Sequence, residues 1–262
     1  MPEVKIAFDA ADDYERFMGA WSRTIGERFL AWFDPPARAR WLDVGCGTGA
    51  FSELILRHAA PASLAGIDPS PEQIAYVQKH LPGRAFQVAD SMALPFGAGA
   101  FDVVASALVL HFIPDRAKAF AEMSRVLASG GLVGGYTWKR TASENFAPYA
   151  PVMAGVDSIG AETLTSPLIP EGTAEGMRAS LGAAGFTDIA VTEIEVTRTF
   201  KNFDAYWDIQ SIPFSPPGRT IAKLGEAQRA RLREVMRARM TPAADGSITH
   251  AAIAMAGRGR KP

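Results

Sequence analysis

The ten residues LDVGCGTGAF, positions 42–51, decide how this chain is read. Arg40 to Val44 reads as a strand, Gly45 to Gly49 as a tight loop and Phe51 to Ala59 as a helix, which is half of a βαβ unit. Glycines let a backbone turn with positive φ and approach a ligand closely, and the helix that follows directs its free N–H groups at whatever lies in front. Gly45, Gly47 and Gly49 alternate, and Asp43 stands two residues before the first of them. Taken alone, such a loop is often a turn with no ligand.

Reading outward, strand and helix keep alternating. A second strand, Ser63 to Ile67, finishes at Asp68, and Ser70-Pro71-Glu72-Gln73 supplies a capping serine, a proline at the first helical position and a capping-box glutamine for a helix to His80. Arg84 to Val88 is a third strand, followed by Asp90 and Ser91, and Phe101 to Ser106 is a fourth, apolar enough for burial on both faces. Asp115 caps a helix to Ala128, Gly130-Gly131 stops it, and Leu132 to Trp138 is a fifth strand. This predicts an α/β fold, a parallel sheet with helices on both faces. Ligands of such sheets sit at the carboxyl ends of the strands where the winding reverses. Asp68 stands where an acid can accept hydrogen bonds from both ribose hydroxyls, and Asp90 with Ser91 where an adenine amino group can be met. With the glycines they describe one adenosine pocket. A nicotinamide or flavin nucleotide is the competing occupant, because Gly45, Gly47 and Ala50 also satisfy a G-x-G-x-x-G/A pattern. Against it stand Gly49, Asp43 and Asp90: acids suit a cofactor bearing a sulfonium cation better than one bearing a pyrophosphate.

The stretch 42–51 closely resembles motif I of class I S-adenosylmethionine (SAM)-dependent methyltransferases. GIDPSPEQIAYVQ (66–78), VADSMALPFGAGAFDVVASALVLHFIPD (88–115) and RVLASGGLV (125–133) resemble the successive motifs of the ubiquinone/menaquinone biosynthesis C-methyltransferase-like (methyltransferase type 11) subgroup. YERFMGAWSR (14–23) resembles the segment that closes over SAM in many members. The resemblance implies a Rossmann-like seven-stranded sheet whose last strand, Ile248 to Ala256, runs antiparallel. It implies that Gly45 and Gly47 touch the methionyl part of SAM, Asp68 the ribose, and Asp90 with Ser91 the adenine. Pro69 and Met92 would pack on the adenine faces, with Ala107 and Leu108 near the methionyl group. Tyr14, Phe17, Met18, Trp21 and Ser22 would cover the cofactor, Tyr14 or Phe17 lending an aromatic face to the sulfonium. The same apolar stripe fits a core-facing helix equally well.

The chain has 262 residues, 48% of them hydrophobic, and is read as a single domain with insertions: a helical cap (1–36), a SAM-binding core (37–138) and two substrate covers (139–172 and 201–246). Net charge is −1, with 27 basic and 28 acidic residues, so no whole-chain field draws it to nucleic acid, and a small-molecule methyl acceptor is the expected partner. Cys46 is the one cysteine, and the histidines lack ligand spacing, so neither a disulfide nor a metal site is expected. The sequence shows no leader-like or membrane-spanning apolar run, which gives a cytoplasmic expectation.

Methyl transfer is an in-line displacement in which orientation carries most of the load. His111, after the fourth strand, is the one candidate base, with a packed histidine as the alternative. Trp138, Phe146, Tyr149, Met153, Phe203, Tyr206, Trp207 and Phe214 are candidates to line an apolar acceptor pocket, or to form the core of the covers. The arginines of 228–240 read as a solvated helix face. A noncatalytic SAM-binding protein and a nicotinamide-dependent dehydrogenase remain the alternative functions.

Overall fold

The computed structural model describes residues 13, 15–162, 168–213 and 215–262. Among them, β1 (Arg40–Val44), β2 (Ser63–Asp68), β3 (Ala85–Val88), β4 (Phe101–Ala107), β5 (Leu127–Trp138), β6 (Thr187–Phe200) and β7 (Ile248–Arg260) form one sheet in the order β3-β2-β1-β4-β5-β7-β6. β1 to β5 pair in parallel, while β7 is antiparallel to both β5 and β6. The winding reverses between β1 and β4, so the loops after these strands flank the crevice where such sheets bind ligands.

Side chains alternate across the sheet and build two cores. Trp41, Val103, Ala105 and Tyr136 join one, with Phe29 and Phe33 of α1 (Ala20–Phe33) and Leu54 of α2 (Ala50–His58). Leu42, Val44, Ile67, Val104 and Val133 join the other, on the side of α4 (Arg116–Val126) and α6 (Ala174–Ala183). Between these helices in the chain come α3 (Pro71–His80) and α5 (Ala150–Ser158). α1 continues from a π-helical turn, Glu15–Gly19. Its carboxyl end is closed by Arg258 of β7, whose Nη1 donates to the carbonyls of Trp32 (2.8 Å) and Phe33 (2.9 Å).

The second insertion folds into three helices, α7 (Phe203–Gln210), α8 (Pro216–Lys223) and α9 (Glu226–Arg239). Leu232 and Met236 of α9 are buried against Gly155 of α5, which ties the two covers together. The arginines of α9 behave as a solvated face: Arg233 and Arg237 both bond Asp204 Oδ1, at 2.9 and 2.8 Å. No helix among the described residues is long and apolar enough to cross a membrane.

Several boundaries differ from the sequence reading, most by one residue, and the larger shifts have a cause in the packing. The helix expected to reach Ala128 ends at Val126, because the fully buried Leu127 already pairs with Phe101; Gly130, at φ 73°, then lies inside β5, in the excess chain between that pair and Val103↔Leu132. The last strand, expected to end at Ala256, runs to Arg260. Gly257 and Gly259 there are close-packing sites and not terminators: a Cβ on Gly257 would lie 2.5 Å from Met177 Cγ, and one on Gly259 3.0 Å from Phe186 Cβ.

An equally close approach, to backbone, occurs between the central strands, where a Cβ on Gly135 would lie 2.5 Å from the Ser106 carbonyl oxygen. Backbone cannot yield there as a side-chain tip can. Gly135→Ala is expected to cost about 1–3 kcal/mol in urea unfolding with an unchanged m-value; an unaltered midpoint would show that the strands separate freely.

Candidate active site

At the carboxyl edge the chain encloses a cavity of about 260 Å³, walled by the β1–α2 loop, by Asp68 and Pro69 after β2, and by Ala107, Leu108 and Val109 after β4. Phe51, Phe112 and Tyr136 add aromatic surface, and Ser22 of α1 closes one side. The loop is built from backbone bonds first. The amides of Gly45 and Cys46 both donate to Ile67 O, at 2.8 and 2.9 Å, and the amide of Gly49 donates to Cys46 O at 2.8 Å.

The glycines divide their roles. Gly49 (φ 91°) N-caps α2, and a Cβ there would strike Val77 Cγ2 at 2.4 Å, so this residue serves packing and stands off the cavity wall. Gly47 (φ 52°) is on the wall, and a Cβ there would meet nothing nearer than Gln73 Oε1 at 3.9 Å. Its open front is the cavity itself, where a ligand can approach the backbone.

Asp68 is held from both sides, Oδ2 accepting from the Gly47 amide at 3.1 Å and Oδ1 from the Ser70 amide at 3.0 Å. Burial still raises its pKa above the ordinary carboxylate value, against the pull of those two bonds. Asp43 lies beneath the loop, off the cavity wall and fully buried; Ser52 Oγ donates to its Oδ2 at 2.6 Å, and its Oδ1 is without a partner. Burial pushes the Asp43 carboxyl up to about 7, opposed by the Ser52 bond and assisted by Asp68.

The capping box expected at Ser70–Gln73 is half present: the Gln73 amide donates to Ser70 Oγ at 3.2 Å, but Ser70 Oγ donates to Glu72 Oε2 at 2.8 Å. The Gln73 side chain turns to the cavity instead, its Oε1 buried and without a partner. Sequence reasoning used Gln73 only as a cap and missed it as a wall residue, as it missed Thr48, Val109, Phe112 and Tyr136. Thr48, between glycines already singled out, was open to discovery from the pattern. Tyr136 and Phe112 carry no local signal, since strand register and a turn place them.

Other expected residues fall elsewhere. Asp90, Ser91 and Met92 follow β3 but do not wall this cavity; Asp90 Oδ1 accepts from the Met92 amide at 2.8 Å in a tight turn. Phe17, Met18 and Trp21 are buried in the core, as a core-facing stripe would be, and Tyr14 lies outside the described residues. Burial, then Asp43 and Asp68, push the Cys46 thiol far up, leaving it a packing group. His111 sits in the turn Leu110–Phe112 beside Arg140, Thr137 and Tyr149, its Nδ1 buried without a partner. Burial, then the Arg140 charge, lower its pKa to about 4. Of the expected acceptor-pocket residues, Trp138, Tyr149, Met153, Phe203, Tyr206 and Trp207 join the core under the covers, Phe146 packs beneath the Lys139 ammonium (4.8 Å), and Phe214 lies outside the described residues. No metal-holding group of His, Cys, Asp and Glu occurs among the described residues.

Residues 42–134 match the family model described as a methyltransferase domain. The matched stretch runs from within β1 to the middle of β5 and includes the loop, both acids and His111. A demethylmenaquinone methyltransferase of Thermus thermophilus is 37% identical over 99 residues, 36% of this chain and 45% of that protein. A phthiotriol/phenolphthiotriol dimycocerosates methyltransferase of Mycobacterium leprae is 39% identical over 133 residues, 50% of this chain and 47% of that protein. The chain thus spans about half the length of these relatives. The structure of a Haemonchus contortus phosphoethanolamine N-methyltransferase, solved with phosphomonomethylethanolamine and S-adenosylhomocysteine, superposes with a TM-score of 0.58 at 17% identity, covering 97% of this chain and 58% of that one. That likeness is one of fold.

The buried carboxyl beneath the loop makes stability depend on pH. Asp43 titrates near 4 when unfolded and near 7 when folded, so its contribution is fully present below pH 4 and is lost as pH rises through 7. Asp43→Asn keeps an acceptor for Ser52 Oγ and removes the titration. Urea midpoints at pH 5 and pH 8 should show the variant gaining about 1–3 kcal/mol on the wild type over that interval; parallel curves would count against the buried acid.

Proposed function

We propose that this chain transfers a methyl group from SAM to a small, hydrophobic or aromatic acceptor by in-line displacement. The observation that carries the reading is the Gly47–Asp68 pair: an open glycine backbone and an immobilised carboxylate on one wall of a cavity at the sheet's switch point. The donor set fits the cofactor. Asp68 can accept from ribose hydroxyls, Gln73 Oε1 is buried without a partner on the same wall, and the Gly47 backbone leaves room for the methionyl part, while the missing side chain of Gly45 admits Val109. Pro69, Ala107 and Leu108 give apolar contact, and Asp90 with Ser91 stands after β3 toward the adenine end. Bound, SAM supplies an electrophilic methyl on a sulfonium.

The residues of this chain orient the partners and keep water away. Phe112, 52% exposed although aromatic, stands at the cavity and offers an apolar face to an incoming acceptor. The names of the two curated relatives, whose acceptors are a quinone precursor and a lipid, agree with a hydrophobic acceptor. His111 stands off the cavity wall and is neutral at physiological pH, and a base this weak gives little driving force for proton removal.

Calorimetric titration with S-adenosylhomocysteine, with NAD and NADP as controls, tests the cofactor. The wild type should bind it saturably and Asp68→Ala at least about tenfold more weakly. Folded protein that ignores it, or prefers a nicotinamide cofactor, overturns the reading. Once an acceptor is in hand, activity between pH 6 and 8 should show no titration that Asn at position 111 removes; a step near 6.5 lost in His111→Asn would restore the histidine as base.

A further inference from the structure

A second set of polar groups is buried under the covers, away from the donor cavity. Tyr206 and Gln210 lie one turn apart on α7 and are fully buried. His250 lies near the start of β7, in the part that projects beyond the Trp138↔Ala254 pair at the end of β5. Its ring meets Trp21 edge-on at 5.8 Å and Tyr206 at 6.3 Å.

One carbonyl orders the group. Gln210 Nε2 donates to Pro148 O at 3.1 Å, which sets the amide orientation and leaves Oε1 turned the other way. Two further ring and amide atoms of the group matter, Gln210 Oε1 and His250 Nε2. They remain buried without partners, as do Tyr206 Oη and Ser211 Oγ. Four such atoms on neighbouring residues call for an external partner, because buried polar groups are otherwise paired.

We propose that this cluster binds a hydroxyl group of an aromatic molecule, the methyl acceptor. Oε1 only accepts, the imidazole nitrogen accepts or donates with its tautomer, the tyrosine and serine hydroxyls donate and accept, and a hydroxyl is the small neutral group that answers all of them. Among the described residues no carboxylate belongs to the cluster to hold a cation. The nearest charge in register, Arg198 opposite His250, is spent on the carbonyls of Arg16 and Phe17 at 3.1 and 3.2 Å. Trp21, Phe200, Phe203 and Trp207 surround the group with aromatic surface suited to a flat, apolar body. Trp21 adjoins Ser22, which walls the donor cavity, so the two sites flank the first turn of α1. A molecule spanning them is held by its hydroxyl at one end and presents its methyl-accepting atom at the other. The assignment of that molecule as acceptor rests on the methyl-transfer reading.

The test uses the full chain, saturated with S-adenosylhomocysteine and without it. Phenol, catechol and 2-naphthol are titrated calorimetrically, each beside its methyl ether. At least one hydroxylated member should bind about tenfold or more tightly than its ether, and Tyr206→Phe should abolish that preference. The Tyr206 hydroxyl bonds nothing within the fold, so Tyr206→Phe should melt at or above the wild-type temperature; His250→Phe, judged by melting and circular dichroism to be folded, is the second variant. Equal affinity for hydroxyl and ether, no binding of any member, or a preference that survives Tyr206→Phe overturns the proposal and leaves the cluster to internal water. A preference present in protein that does not bind S-adenosylhomocysteine upholds the hydroxyl site and overturns the methyl-transfer reading instead.

Discussion

The amide of Gly47 donates to Asp68 Oδ2 while the amides of Gly45 and Cys46 share Ile67 O, so the loop leaving β1 is clamped to the end of β2. Each part of the donor cavity is positioned from that clamp. It points the start of α2 at the crevice, it holds Asp68 against rotation, and it leaves the face of Gly47 open. The parallel pairing of β1 with β2, Val44 opposite Ile67, is what brings the two strand ends level. A slip of one residue would carry Leu42 and Trp41 to opposite cores and turn Asp43 out from beneath the loop.

Much of this was legible because local rules and tertiary demands agree there. The run from Arg40 to His80 contains a strand, a loop that only glycine fits, a helix, a second strand and a capped helix, and each boundary follows from its own residues. The division of labour among the glycines was not legible, since it depends on Val77 and Gln73, which approach from α3. Asp43 and Asp68 read as a pair in sequence, yet one is structural, bonded to Ser52, and the other faces the cavity.

The covers were read less well for the same reason in reverse. Their aromatics are apolar enough to line a pocket or to fill a core, and only packing partners decide between those fates. Phe203 and Trp207, one turn apart, stack at 6.3 Å on one face of α7, and Arg237 reaches across from α9 to lie over Phe203 at 4.6 Å, a contact between residues far apart in the chain. At the end of β7, Gly257 makes room for Met177 of α6 and Gly259 for Phe186 just before β6, packing that no local signal announces. His250 had no helical or ligand spacing to mark it; its surroundings come from Trp21 of α1 and Tyr206 of α7.

The electrostatics of the donor edge bear on which cofactor belongs there. Asp43 and Asp68 are both shifted toward protonation by burial, and each ionised carboxylate disfavours the other, as the Asp68 contribution at Asp43 shows. A ligand that brings a pyrophosphate adds negative charge to a site already resisting it. A ligand with a sulfonium does the opposite, and its cation favours the ionised form of both acids. The same loop geometry that would admit either nucleotide is therefore not neutral between them: the carboxylates under and beside it select for positive charge.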